Sequence, residues 1–345
     1  MRFYVDQDIG TSISLWVVPD NPSIIPTIEI ILPERPPIPF PANAFRPDIR
    51  QLGLHNTGQV GFQVTSFYLP DLASYSELSI RDPATGILLH RRHSGLKQRL
   101  FHLDLGAPRK PGLEASLSGH FTLAYQDVEK HSFDTLNAVL NNKACQSIYA
   151  SGHPLLFRYL SVLQSNGYIT FATMRQPFEE LAERLQLSQN IAHDRARAEE
   201  GIGLEPLFDF AANLQLDDAG AIAAAFRGLT DAQADAIANP FVRTLGCEVG
   251  ERPGRFHVAI ALENLAALNL IGMEGRFDEF KVALAELIGH DFLEGYKLER
   301  SEKTSRIAAA LARIATVRKL LAWDLLLYGI VDDAFRAVDT ASQGP

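Results

Sequence analysis

The stretch SIYASGHPLLFRYLSVLQSNGYITFATMRQPFEELAERL, residues 147–185, decides the fold class. SIYAS (147–151) is a short apolar run bounded by turn residues and predicts a strand. PLLFRYLSVLQSN (154–166) predicts a helix. YITFATM (168–174) is rich in β-branched and aromatic residues and predicts a second strand. PFEELAERLQLSQNIAHDRARAEE (177–200) predicts a long helix, with Pro177 in the first turn, where its missing N–H costs nothing. Strand, helix, strand, helix implies a parallel sheet with helices on its faces.

The same alternation extends outward. An apolar lead-in with Phe121, Leu123, Tyr125 and Val128 precedes a predicted helix, HSFDTLNAVLNN (131–142). RPGRFHVAIALENLAALNLIGM (252–273) reads as helix then strand, and EGRFDEFKVALAELIG (274–289) as a further helix. LTDAQADAIAN (229–239) has a good N-cap in Thr230, and residues 301–338 close the chain as helix.

Residues 1–95 follow another rhythm. ISLWVV (13–18), TIEIIL (27–32), VGFQVTSFYL (60–69), ELSIRD (77–82) and ILLHRR (87–92) are short and separated by PDNP, PERPPIPFP, HNTG and DPATG. Short strands at even spacing with Pro and Gly punctuation predict a β-sandwich domain. PERPPIPFP is excluded from a central strand because proline removes ladder donors. Residues 96–120 are expected to connect this domain to an α/β domain over 121–340. KQRLFHLDL (97–105) reads as a last strand or a link, and GAPRKPG (106–112) as a connecting loop without the G-K-S/T grouping of a phosphate loop.

The net charge of −9 excludes a general nucleic-acid binder, which would carry a basic face, but leaves room for a local anion pocket. The start MRFYVDQDIGTS lacks the apolar core of a signal peptide, and no apolar run is long enough to span a bilayer. The two cysteines, Cys145 and Cys247, are far apart and unpatterned, which implies a reducing compartment and no zinc site. A cytoplasmic protein without a metal is expected.

In open parallel sheets ligands bind beyond the C-terminal ends of strands. Three such ends are Val128–Thr135, Ser151-Gly152-His153 and Met174–Pro177. Lys130 reads either as a phosphate contact or as a solvated lysine before a helix. His153 is a general base or a structural hydrogen-bonder. Arg175 could fork onto a phosphate or pair with Glu179 or Glu180. Arg243 closes a nucleotide pocket or stabilises a helix C-terminus. Glu179, Glu180 and Glu183 form a solvated face, with Glu183 a carboxylate available to a repurposed pocket.

Five segments in order resemble the carbohydrate sulfotransferases. SIYASGHPLLFRYL is similar to that family's GH-x-P strand and helix. YITFATMRQPFEELAERL resembles its strand, R-D-P, helix segment. ANPFVRTLG (238–246) is similar to N-x-x-x-R-x-L-G, and ALENLAALNLIGMEGRFDEFKVALAELIG (261–289) to A-x-x-N-L followed by VGL-x-E-x-F. LAWDLLLYGIVDDAF (321–335) resembles the closing N-x-x-D-x-x-LY helix. NAFRPDIRQLGLHNTGQVGF (43–62) is similar to small β-modules attached to bacterial polysaccharide-modifying transferases.

The resemblance implies a sulfotransferase-like, P-loop NTPase-related α/β domain. It implies sulfonate transfer from PAPS to a hydroxyl of a glycan or glycolipid, alongside other polysaccharide-biosynthesis proteins. In YQDVEKHSFDTLNAVL (125–140), the family's P-K-T-G/A-G/S-T-S-L loop falls with Lys130 on its Lys and Thr135 on its second hydroxyl. Lys130 is then donor-binding and catalytic, His153 the base, and Thr135, Arg175, Glu183 and Arg243 line the donor site. The chain departs from the pattern: Glu129 replaces Pro, Phe133 and Asp134 replace small or hydroxyl residues, and Glu183 replaces the Ser eight residues after Arg175. These departures admit two alternatives. One is a non-catalytic relative that binds a glycan or a partner enzyme. The other is a glycosyltransferase with another nucleotide donor, in which a metal would bridge Asp134 and Glu183 to the diphosphate.

Overall fold

The computed structural model describes residues 1–107, 110–201, 203–299 and 301–342. Among the described residues the strands are β1 (Arg2–Asp8), β2 (Ser12–Val18), β3 (Thr27–Ile31), β4 (Ile38–Pro41), β5 (Ala44–Phe45), β6 (Gln59–Thr65), β7 (Leu78–Arg81), β8 (Leu88–Arg92), β9 (Arg99–Asp104), β10 (Leu123–Tyr125), β11 (Ile148–Gly152), β12 (Ile169–Met174) and β13 (Leu270–Met273). The helices are α1 (Pro47–Gln51), α2 (Pro111–Ser118), α3 (Phe133–Leu140), α4 (Leu160–Ser165), α5 (Pro177–His193), α6 (Glu205–Ala212), α7 (Ala219–Ala225), α8 (Asp231–Ile237), α9 (Pro240–Gly246), α10 (Arg255–Ala266), α11 (Phe277–Ile288), α12 (Glu302–Leu311), α13 (Ala315–Leu320) and α14 (Ala322–Ser342).

The N-terminal strands form two four-stranded antiparallel sheets, ordered β1-β2-β6-β5 and β4-β3-β7-β8. Alternation puts one side of each strand inward: Phe3 and Val5, Ile28 and Ile30, and Leu78 and Ile80 are buried. Phe40 of one sheet meets Phe62 of the other, ring centroids 6.5 Å apart. A polar clamp adds to this. Asp8 accepts from Arg92 Nε (2.6 Å) and Nη2 (2.7 Å) and bonds His90 Nε2 at 2.8 Å. Burial alone would raise the Asp8 carboxyl, but the His90 and Arg92 bonds outweigh it and hold the group well below the usual range. The proline run behaves as expected, since β4 lies at a sheet edge and pairs with β3.

The second architecture is α/β: a five-stranded parallel sheet, order β10-β11-β9-β12-β13, flanked by helices. β10 and β11 run parallel with Leu123 opposite Ile148, and β12 and β13 run parallel with Phe171 opposite Leu270. All of β11 and nearly all of β12 are buried, as strands covered on both faces require. Residues 96–120, expected as a connector, instead hold β9, the middle strand of this sheet, and α2. Pro108 and Arg109 of GAPRKPG lie outside the described residues.

By contacts the chain divides into two compact units. One comprises residues 1–101, 115–152 and 161–169, the other 102–114, 153–160 and 170 onward. The second unit's helical core joins Leu181, Leu185 and Ile191 of α5 to Leu207, Ile222, Ile307 and Leu311. α5 starts as its sequence demands: Gln176 caps it by accepting from the N–H groups of Phe178 (2.7 Å) and Glu179 (3.0 Å), with Pro177 next. It stops at His193, short of the expected 200, where Arg195–Gly201 tightens into a 3₁₀ turn. Among the described residues no helix is long and apolar enough to cross a membrane.

Candidate functional site

Within the second unit, four chain segments leave strand ends or enter their loops: Leu105-Gly106-Ala107 after β9, His153, Arg175 after β12 and Glu274 after β13. Charged side chains gather there. Arg175 is buried, and its Nε donates to Glu274 at 2.6 Å. Its Nη1 pairs with Glu183 and lies 3.8 Å from Glu180. Glu274 also takes Lys110. Glu180, 1% exposed, accepts from Arg184 Nε and from the backbone N–H of Ala107, both at 2.8 Å. The N–H of Gly106 is taken by Asp104 at 2.9 Å.

Three cations, Lys110, Arg175 and Arg184, thus face the three carboxylates Glu180, Glu183 and Glu274. Burial disfavours the charged form of Arg175, but the three carboxylates together raise its pKa. Burial likewise pushes Glu274 up, and Lys110 and Arg175 overcome it, leaving that carboxyl below its ordinary value. Glu183 goes the other way. Burial, aided by Glu180 and Glu274, raises it against the pull of Arg175. Glu274 is therefore the firm counter-ion of Arg175, and Glu183 the weaker one.

Two clefts open beside this cluster. One, of about 260 Å³, is lined by Arg175, Gln176, Glu179, Glu183, Glu274 and Tyr328 among others, and is acidic on balance. The other, of about 240 Å³, is lined by Gly106, Ala107, His153, Arg184, Asp235 and Arg243, with Glu200 and Thr244 beside them. In the second cleft Arg243 Nη2 donates to the carbonyl (3.0 Å) and the carboxylate (3.1 Å) of Asp235.

The structure sorts the residues singled out in the sequence. His153 and Arg243 share one cleft, and Arg175 and Glu183 share the other. Gly152 adopts φ +152°, and a Cβ there would lie 2.9 Å from the Val128 backbone nitrogen, so glycine is required before His153. Arg175 pairs with Glu183 and Glu274 rather than presenting a bare fork.

Lys130 and Thr135 belong to the other unit and line neither cleft. Lys130 closes a 3₁₀ turn (Val128–Lys130) and pairs with Asp127 at 2.7 Å. Thr135 is buried; its hydroxyl donates to the Met1 carbonyl and accepts from the Met1 nitrogen, each at 3.0 Å. Asp134 bonds Arg2 at 3.1 Å. In 125–140 the Thr135 hydroxyl and the Asp134 carboxylate are thus engaged in holding the start of β1 to α3, and Lys130 in an ion pair on its own turn.

β9 is the first strand of the parallel sheet in the chain and lies in its middle, and the first strand–helix turn is where nucleotide folds place their phosphate cradle. Among the described residues, Leu105–Ala107 and Lys110 lie between β9 and α2. The readable signal was an apolar run, LFHLDL, leading straight into a Gly-rich basic loop. Lys110, Arg184 and Glu274 were not singled out, Lys110 and Glu274 because they meet across 164 residues, and Glu180, read as part of a solvated helix face, is instead buried and pairs with Arg184 one turn away.

Three motif residues, Asn239, Gly246 and Asp324, prove architectural. Asp324 accepts the N–H groups of Phe241 (3.0 Å) and Val242 (2.9 Å) at the start of α9, while Asn239 Oδ1 accepts those of Trp323 (2.8 Å) and Asp324 (3.1 Å) at the start of α14. Each helix start is capped by the other's side chain. Burial pushes the Asp324 carboxyl up to about 7 despite the two N–H groups that oppose it. Gly246 closes the RTLG motif because a Cβ there would lie 2.3 Å from the His257 carbonyl of α10.

Among the described residues, no three His, Cys, Asp or Glu side chains come together as a metal ion would require. Comparison with protein-family models, curated proteins and solved structures finds no match.

Proposed function

We propose that this chain is a sulfotransferase-like protein that no longer holds its nucleotide donor. In this reading it is a repurposed, ligand-binding member of a cytoplasmic glycan-assembly pathway. The observation that carries the reading is the charge pairing of Arg175 with two carboxylates. The family pattern gives this arginine to a donor phosphate; here Glu274 and Glu183 occupy it. The loop after β9 is treated alike, with the N–H of Ala107 taken by Glu180 and Lys110 taken by Glu274.

The magnitudes favour this side. Two like charges about 4 Å apart repel by roughly 4 kcal/mol at an effective dielectric near 20. A micromolar site is worth about 8 kcal/mol in all. A phosphate entering among Glu180, Glu183 and Glu274 would have to displace a carboxylate already paired with Lys110, Arg175 or Arg184, at a cost comparable to a large part of that binding free energy. Sulfonate transfer from PAPS to a carbohydrate hydroxyl is the second reading. The cleft that joins His153 to Arg243 beside the loop after β9 favours it, since a base and cations are what in-line transfer needs.

Calorimetric titration with adenosine 3′,5′-bisphosphate separates the two. The expected result is no binding at millimolar ligand. Micromolar binding that is lost in Arg175→Ala would overturn the donor-free reading and return the chain to the transferases.

A further inference from the structure

The 240 Å³ cleft has donors to spare. Arg184 uses Nε on Glu180, and among the described residues nothing accepts from its Nη1 or Nη2. Arg243 uses Nη2 on Asp235, and among the described residues nothing accepts from its Nε or Nη1. Two guanidinium groups with spare N–H donors therefore line one small space, together with the imidazole of His153.

Arg184 is held in place. Its partner Glu180 is buried, and the same carboxylate oxygen that takes Arg184 Nε also takes the Ala107 N–H, so the unused end of the fork has a set direction. Each arginine already has one carboxylate partner. The cleft thus offers directed hydrogen bonds with little surplus positive charge, which suits one singly charged oxyanion and not a doubly charged phosphate. Asp235, Glu200 and Thr244 line the same space and supply acceptors for hydroxyl groups. The volume is below the roughly 300–1,000 Å³ of drug-sized sites, so the ligand is small.

We infer that this cleft binds a hydroxylated monocarboxylate of about the size of one sugar acid, with its carboxylate between Arg184 and Arg243 and its hydroxyls toward Asp235 and Glu200. This rests on the reading of the chain as a ligand-binding protein and names its ligand class. Binding would tie α5, α8 and α9 to the loop after β9.

The test is calorimetric titration of the whole chain with glucuronate, glucose and inorganic sulfate. Glucuronate should bind at least tenfold more tightly than either of the others. Arg243→Gln should weaken it tenfold or more. Arg184→Lys should do the same while keeping the ion pair to buried Glu180, so the variant stays folded, as a melting curve will verify. Equal binding of glucuronate and glucose, or of glucuronate and sulfate, overturns the assignment, as does glucuronate binding that neither variant changes, or none at all. Adenosine 3′,5′-bisphosphate is the separate arm. If it stays silent while glucuronate also fails, the ligand class falls and the donor-free reading stands. If it binds tightly, the donor-free reading falls, whatever glucuronate does.

Discussion

At the scale of single residues, the deciding quantity is what a charge is paired with. Arg175 and Lys130 were equals in the sequence, each a cation beyond a strand. In the structure Arg175 is buried among carboxylates, and Lys130 is a half-exposed cation on a turn with Asp127. Removing one partner of a buried ion cluster leaves uncompensated charge and costs about 3–5 kcal/mol. Removing one partner of an exposed pair costs less than about 1 kcal/mol. Arg175→Met should therefore lower unfolding free energy by about 3–5 kcal/mol and Lys130→Ala by less than about 1, both read from urea titrations. Equal effects would show that the cluster around Arg175 does not carry the stability argued here.

At the scale of elements, the reciprocal caps of α9 and α14 tie stability to pH. Asp324 has an ordinary carboxyl value of 3.8 and is raised to about 7 in the fold. Between those values the folded protein keeps a proton that the unfolded chain has lost. Stability contributed by this residue therefore falls as pH rises from about 4 to about 7, by at most roughly 1.4 kcal/mol per pH unit, and is flat above. Asp324→Asn removes that slope while keeping one acceptor for the cap. The difference in unfolding free energy between native protein and variant, measured from pH 4.5 to pH 8, should shrink or reverse with rising pH. A constant difference would place the carboxyl at an ordinary value and overturn the burial argument.

At the scale of the whole molecule, charge sets what the surface attracts. The net charge is −9, and the cations nearest the strand ends after β12 and β13 are matched by carboxylates. A chain of net negative charge repels a polyanion on balance. The protein should elute from a heparin column without retention near physiological salt, and Glu183→Gln should not change that, because one charge within a cluster does not make a surface patch. Retention of the native protein would contradict the reading of the charge distribution.

The sequence by itself determined the local elements. The apolar run of β11, the aromatic and β-branched run of β12, the proline and cap at the start of α5, and the proline-punctuated edge strand β4 all follow from interactions within a few residues. It also determined the class, since strand–helix alternation is a local rhythm that only a parallel sheet satisfies. Tertiary structure alone decided the order of the sheet and therefore which loop follows its middle strand. GAPRKPG looks like a connector until β9 is seen in the centre of the sheet. It alone decided the charge pairing: Arg175 and Glu274 are 99 residues apart, and Asp324 and Val242 are 82. Local sequence fixes torsions and faces, whereas the free energy of a buried charge depends on whichever groups the fold brings within a few ångströms of it.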